Sequence, residues 1–158
     1  MDQKTILVLG IGNLLLGDEG VGVHAAHQLL ETSLPPEVEV IDGGTVGFEL
    51  LPYLQGKEKV IIIDALHTEA EAGEVFRFDA GELRMRRDAP FSPHQCGLRE
   101  LLGASATLVP PPRVVVIGVV PEEINFLTIG LSRKVHRQMP TILSAILEEI
   151  KPPVAKEA

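Results

Sequence analysis

The sequence predicts an α/β protein, a three-layer α/β/α sandwich around a mostly parallel sheet of about five strands. Three short apolar runs each end in a glycine or an aspartate, as buried strands of a parallel sheet do. Segments with the three-or-four residue spacing of amphipathic helices separate these runs. The 158 residues show neither an internal repeat nor a second-domain linker. We therefore predict one domain over residues 1–151 and a flexible tail over residues 152–158.

The first half of the chain repeats a strand, a turn and a helix. Residues 6–9 form the first predicted strand, and residues 19–33 form an amphipathic helix that two prolines end. Residues 38–41 form the second strand, and a brief helix follows over residues 48–54. Residues 60–63, Val-Ile-Ile-Ile, are the strongest buried-strand run and end at an aspartate.

The strand predicted over residues 74–78 differs from the others in its direction. Only about nine residues separate it from Asp64, too few for the helical crossover that a parallel pair needs. We therefore predict an antiparallel edge strand. Ser92, Pro93 and Gln95 follow with the pattern of an N-cap, a first helical residue and a capping-box partner, which predicts a helix.

The last predicted strand and helix complete the sandwich. Residues 114–119 are apolar and form the strand. Ser132 can cap the final helix, whose apolar residues recur every three or four positions up to Ile150. Pro140 lies inside this pattern, so we expect it to kink the helix.

Composition excludes several classes of protein. The net charge of -8 lacks the basic footprint that nucleic-acid binding requires, so we expect no nucleic-acid partner. Cys96 is the only cysteine, which rules out an internal disulfide and suits a reducing compartment. No stretch reaches the roughly 20 apolar residues of a membrane span. We therefore expect a soluble cytoplasmic protein that does not bind a membrane.

Charged residues follow the predicted strands where a ligand would bind. In open α/β sheets, ligands bind beyond the carboxyl ends of the strands, where the strand order reverses. If the order begins 2-1-3, Glu19 and Asp64 flank one crevice, and His94 at a later helix start could close it. Two carboxylates and an imidazole suit a divalent metal with open positions, which could polarise a carbonyl or generate hydroxide.

Ordinary structural roles are the alternative for these residues. Asp18 can be an N-cap and Glu19 a residue that compensates the helix dipole. Asp64 can cap its loop, and His94 can be an exposed residue at a helix start. The remaining histidines are assigned to surface or packing roles; they are His24, His27, His67 and His136.

Dinucleotide binding is another alternative, since a strand followed by Gly-x-Gly also opens that fold. Gly10 and Gly12 match the pattern, but the third glycine would fall at Leu15. The carboxylates of Asp18 and Glu19 would also repel a pyrophosphate at the helix start.

Five segments together resemble the maturation endopeptidases of nickel-iron hydrogenases. They are GIGNLLLGDEGVGV (residues 10–23), DGGTVGFELL (residues 42–51), IIDA (residues 62–65), SPHQCGL (residues 92–98) and GVVPE (residues 118–122). The second and fourth are the specific ones. The resemblance implies an endopeptidase that removes a C-terminal extension from a hydrogenase large-subunit precursor once nickel is inserted.

The resemblance also implies roles for individual residues. The family's metal-binding trio corresponds to Glu19, Asp64 and His94, and the metal is the nickel that the substrate already holds. Asp42 corresponds to a carboxylate linked to cleavage or substrate choice. The group that activates the attacking water is left open among the nickel, Asp18 and Asp42. A non-catalytic nickel-sensing chaperone of the precursor is the alternative function.

Overall fold

A five-stranded sheet forms the middle layer of the protein. The computed structural model describes residues 3–45, 47–85, 96–122 and 127–154, without the side chains of residues 83–85 and 96. The strand order is β2-β1-β3-β5-β4, with β4 antiparallel to β5 and the other pairs parallel. The strands are β1 (Ile6–Ile11), β2 (Val38–Gly44), β3 (Lys59–Ala65), β4 (Val75–Asp79) and β5 (Arg113–Val119). This arrangement confirms the predicted fold class and the antiparallel edge strand.

Helices cover both faces of the sheet. They are α1 (Val21–Leu30), α2 (Leu51–Leu54), α3 (Ala80–Met85), α4 (Cys96–Ser105), α5 (Arg133–Arg137) and α6 (Met139–Ile150). Two 3-10 helices, Gly17–Gly20 and Phe48–Leu50, precede α1 and α2. In the described part of the chain no helix is both long and apolar enough to cross a membrane.

Two hydrophobic cores lie on opposite faces of the sheet because successive side chains of a strand alternate. Val8 and Ile61 belong to the core under α1 and α6. Leu7 and Ile62 belong to the core under α2 and α4. All four side chains are 0% exposed, so the central strands are buried on both faces, as their unbroken apolar sequences predict.

Glycines bring α1 into close contact with the carboxyl ends of β1 and β3. A Cβ added at Gly10 would lie 2.2 Å from the carbonyl oxygen of Gly22. A Cβ at Gly22 would lie 2.1 Å from the carbonyl oxygen of Ile63. No side chain fits at either position, so the turn before α1 lies directly over the end of the central strands.

The structure changes two predictions about helices. The final helix is interrupted near Pro140, as expected, but the interruption is a division at Gln138, and Pro140 lies in the first turn of α6, where a missing N–H costs little. The helix predicted from residue 19 begins instead as a 3-10 turn, and α1 itself starts at Val21. The helix start predicted at Ser92 lies outside the described residues, and the flexibility of residues 152–158 stays a prediction.

Candidate active site

A cavity of about 270 Å³ opens where the strand order reverses, beyond the carboxyl ends of β1 and β3. Glu19 from the 3-10 turn and Asp64 from β3 both line it. The strand order 2-1-3, on which the prediction of this crevice depends, is the observed one. Parallel strands end at one edge of the sheet, and this is why two carboxylates 45 residues apart in sequence face one cavity.

The backbone around Glu19 is fixed by the glycine turn. Gly12 has a φ of 149°, and a Cβ there would lie 2.0 Å from the carbonyl oxygen of Glu19. The same carbonyl accepts a hydrogen bond from the amide of Asn13 at 3.1 Å. Gly12 therefore permits a close approach of two backbone segments, and this approach places Glu19 at the cavity.

The side chain of Glu19 contacts His67, for which the sequence predicts only a surface or packing role. Nε2 of His67 lies 2.5 Å from Oε1 of Glu19. The hydrogen bond to Glu19 raises the pKa of His67 above its ordinary value, although burial of the ring opposes this shift. His67 follows Asp64 by three residues in the loop after β3, and this loop position was the available signal that it would face the turn after β1.

Asp64 is nearly buried. Its side chain is 6% exposed, and its Oδ1 accepts a hydrogen bond from the amide of Ala65 at 2.8 Å. A carboxylate held in this way at the end of a buried strand has a fixed position relative to the backbone.

Asp18 lies beside Glu19 in sequence but is directed into the protein. It is 0% exposed. Its Oδ2 accepts hydrogen bonds from the amide of Glu122 at 2.9 Å and the hydroxyl of Ser132 at 2.7 Å, while its Oδ1 accepts one from the amide of Ser132 at 2.8 Å. Ser132 also caps α5, as predicted. Asp18 therefore joins the first turn of the chain to the connection between β5 and α5.

Asp42 is the most accessible of the predicted carboxylates. It lies in β2, with its side chain 38% exposed, and its Oδ2 is 2.7 Å from Nε2 of His27. Its Oδ1 accepts a hydrogen bond from the amide of Gly44 at 2.9 Å. Asp42 does not line the cavity that Glu19 and Asp64 share.

The two most specific sequence motifs meet at the cavity wall. A Cβ added at Gly47 would lie 2.5 Å from the Cα of Gly97. Both glycines line the cavity, together with Leu98. His94 itself lies outside the described residues. Within those residues, no group of three histidine, cysteine, aspartate or glutamate side chains could hold a metal ion.

The doubly wound sheet and the acidic cavity at its reversal point are typical of an α/β protein that binds its ligand at the strand ends. Residues 23–149 match the model of the HycI family, described as hydrogenase maturation protease. The chain is 35% identical to the hydrogenase 2 maturation protease of Escherichia coli, covering 92% of this chain and 90% of that protein. A putative hydrogenase maturation protease of Methanocaldococcus jannaschii is also 35% identical, over 96% of this chain and 99% of that protein.

Solved structures of hydrogenase maturation proteases are also similar to this chain. The hydrogenase maturating endopeptidase HybD from Escherichia coli has a TM-score of 0.79 at 33% identity, covering 92% of this chain and 91% of that one. The HybD protease of Thermococcus kodakarensis has a TM-score of 0.76 at 29% identity, covering 92% and 99%. The chain belongs to the hydrogenase maturation protease family and is an endopeptidase.

Proposed function

We propose that this endopeptidase removes the C-terminal extension of a nickel-iron hydrogenase large-subunit precursor in the cytoplasm, after nickel has been inserted. The observation that supports the proposal most is that Glu19 and Asp64 line one cavity at the strand ends. Carboxylates at an open cavity can contact a metal that a substrate carries, and this contact would let the protease distinguish nickel-loaded from nickel-free precursor.

In this proposal the nickel belongs to the substrate. Glu19 and Asp64 would offer carboxylate oxygens to it, and His94 would be the third ligand. Gly97 and Leu98, a few residues beyond His94 in sequence, line the same cavity, and this position supports its assignment. Oxygen and nitrogen ligands suit borderline divalent metals such as nickel.

Binding of the metal would also position the peptide. A precursor held by its own nickel presents the neighbouring chain at a fixed place, so the entropy of orientation is lost on binding and not in the chemical step. The fixed backbone of Glu19 and the nearly buried Asp64 provide rigid contacts for this purpose.

The two remaining carboxylates take different roles in the proposal. Asp18 is fully buried and accepts three hydrogen bonds, so it positions the turn that carries Glu19. Asp42 keeps access to solvent and is the candidate for water activation or substrate choice. A general base must reach the proton that it abstracts, and the exposed carboxylate of Asp42 meets this condition more readily than the buried carboxylate of Asp18.

Cleavage of nickel-loaded precursor by point variants tests the proposal. Glu19→Gln, Asp64→Asn and His94→Ala should fold normally and leave the precursor at full mass, as measured by mass spectrometry of the large subunit. Glu148→Gln is the matched control, because Glu148 is 66% exposed on α6 and should not affect cleavage. Cleavage at the wild-type rate by all three site variants would refute the assignment. Precursor that binds without any loss of mass, even to the wild type, would favour a chaperone.

A further inference from the structure

Residues 127–129 form a short extended segment beside the candidate active site. The amide of Thr128 donates a hydrogen bond to the carbonyl oxygen of Leu15 at 2.9 Å. The amide of Gly17 donates one to the carbonyl oxygen of Thr128 at 2.7 Å. Leu16 and Thr128 are thereby paired in parallel. We call residues 127–129 the 127–129 edge.

The side chains of this edge are apolar and exposed. Leu127 is 75% exposed and Ile129 is 80% exposed. Side chains alternate along an extended segment, so these two lie on the side opposite Thr128. Leu15, next to the paired Leu16, is 54% exposed. Three large apolar side chains in solvent at one place are typical of an interaction site.

The main chain of the edge is open as well. Both backbone groups of Thr128 point toward residues 15–17, so those of Leu127 and Ile129 point the other way, as in any extended strand. Among the described residues, the backbone groups of Leu127 and Ile129 have no hydrogen-bond partner. Such an edge can accept one more extended strand.

The edge is held in a fixed position relative to the candidate active site. Leu16, its pairing partner, lines the same cavity as Glu19 and Asp64. The carboxylate of Asp18 accepts hydrogen bonds from residues on both sides of this edge in the sequence, Glu122 and Ser132. The edge is therefore attached to the same turn that carries Glu19, and it is ordered before any peptide arrives.

We propose that the 127–129 edge binds the extended, apolar stretch of precursor next to the scissile bond, as an added β-strand. An endopeptidase must hold a polypeptide at a second point besides the reacting one in order to select the bond that is cut. Strand addition supplies main-chain hydrogen bonds for affinity, and Leu15, Leu127 and Ile129 supply apolar contacts for specificity. The uncharged sequence from Leu127 to Leu131, in a chain of net charge -8, suits an apolar occupant. This inference rests on the proposed function, since it concerns the same substrate.

Kinetics with the nickel-loaded precursor test the apolar contacts. The double variant Leu127→Asp with Ile129→Asp should raise KM by about tenfold or more, as expected when two apolar anchors are lost, with kcat and melting temperature unchanged. The control is the pair Val109→Asp and Val154→Asp, whose parent residues are 85% and 92% exposed elsewhere. A wild-type KM for the edge variant overturns the proposal.

A second variant tests the main-chain pairing. Ile129→Pro removes the N–H that would pair with the substrate. This N–H makes no hydrogen bond to any other described residue, so the substitution breaks none of their contacts. The KM for the precursor should rise while the melting temperature stays at the wild-type value. The affinity of the Glu19 and Asp64 cavity for Cd²⁺, a probe of the metal site, should also stay at the wild-type value. A wild-type KM for this variant overturns strand addition. Failure of the proposed function gives a different result, because the wild type itself would then leave the precursor at full mass.

Discussion

Asp18 and Ser132 are joined by two hydrogen bonds across 114 residues of chain, one from the serine amide at 2.8 Å and one from its hydroxyl at 2.7 Å. The same carboxylate accepts a third hydrogen bond from the amide of Glu122. Asp18 therefore fixes the connection between β5 and α5 against the turn that holds Glu19. A buried carboxylate with such partners contributes to the order of the site.

Replacement of Asp18 should destabilise the protein. In Asp18→Asn an NH₂ group faces a backbone donor, and we expect a loss of about 2–4 kcal/mol in the free energy of unfolding. Ser132→Ala removes one hydrogen bond and the cap of α5 and should lose about 1–2 kcal/mol. Urea denaturation measures both changes. Asp42→Asn is the control, since the exposed Asp42 should change stability by less than about 1 kcal/mol. An Asp18→Asn protein as stable as the wild type would contradict this role.

Contact between Gly47 and Gly97 should be sensitive to a single methyl group. In Gly47→Ala the new Cβ would meet backbone at 2.5 Å, so α4 must shift away from the 3-10 helix Phe48–Leu50. Such overpacking costs about 1–3 kcal/mol, and we expect the rate of precursor cleavage to fall as well.

Gly103→Ala is the matched control for this substitution. Gly103 also lies in α4, and a Cβ there would meet nothing within 4 Å. It should be neutral or stabilise the protein by about 0.5–1 kcal/mol, because alanine favours helix more than glycine does. Equal stabilities of the two variants in thermal unfolding would refute the close contact.

The low pKa of Glu149 predicts that the protein loses stability in acid. Burial raises its pKa, but Arg77 and Lys59 more than offset this and lower the pKa to about 2. A carboxyl group with a depressed folded-state pKa stabilises the fold fully above its unfolded value of 4.5 and loses this contribution as the pH falls toward 2. Glu149→Gln should therefore be less stable than the wild type at pH 7, and the difference should shrink between pH 4.5 and pH 2. Denaturation at a series of pH values checks this, and a constant difference would contradict it.

Divalent cations should bind at the cavity when supplied without substrate. We expect Cd²⁺ or Ni²⁺ between Glu19 and Asp64 in a crystal grown with the ion, with His94 as the third ligand. Glu19→Gln and Asp64→Asn should each weaken Cd²⁺ binding in calorimetry by tenfold or more, about 1.4 kcal/mol. The Glu148→Gln control should bind as the wild type does. Unchanged affinity in both site variants would exclude these carboxylates as ligands.

Most of the sheet and the shared position of Glu19 and Asp64 follow from the sequence. Buried parallel strands have unbroken apolar runs, and topology then determines which strand ends meet. The partners of Asp18 could not be predicted, because its contacts with Glu122 and Ser132 join distant loops that have no periodicity. The contact of His67 with Glu19 was not predicted, because the sequence assigns His67 only a surface or packing role and its position in the loop after β3 was the one signal for the contact. Pro140 indicated an interruption of the last helix, but a full division at Gln138 could not be predicted, since the apolar spacing continues across it.

The distance in sequence between Asp18 and Ser132 also has a consequence for the protein during its synthesis. Ser132 is translated long after the residues of the first turn, so a nascent chain carries the Glu19 turn without its anchor. Domains fold as units once their contacts are complete, and contacts of long sequence separation form late. We expect proteolytic competence only after the C-terminal helices have left the ribosome.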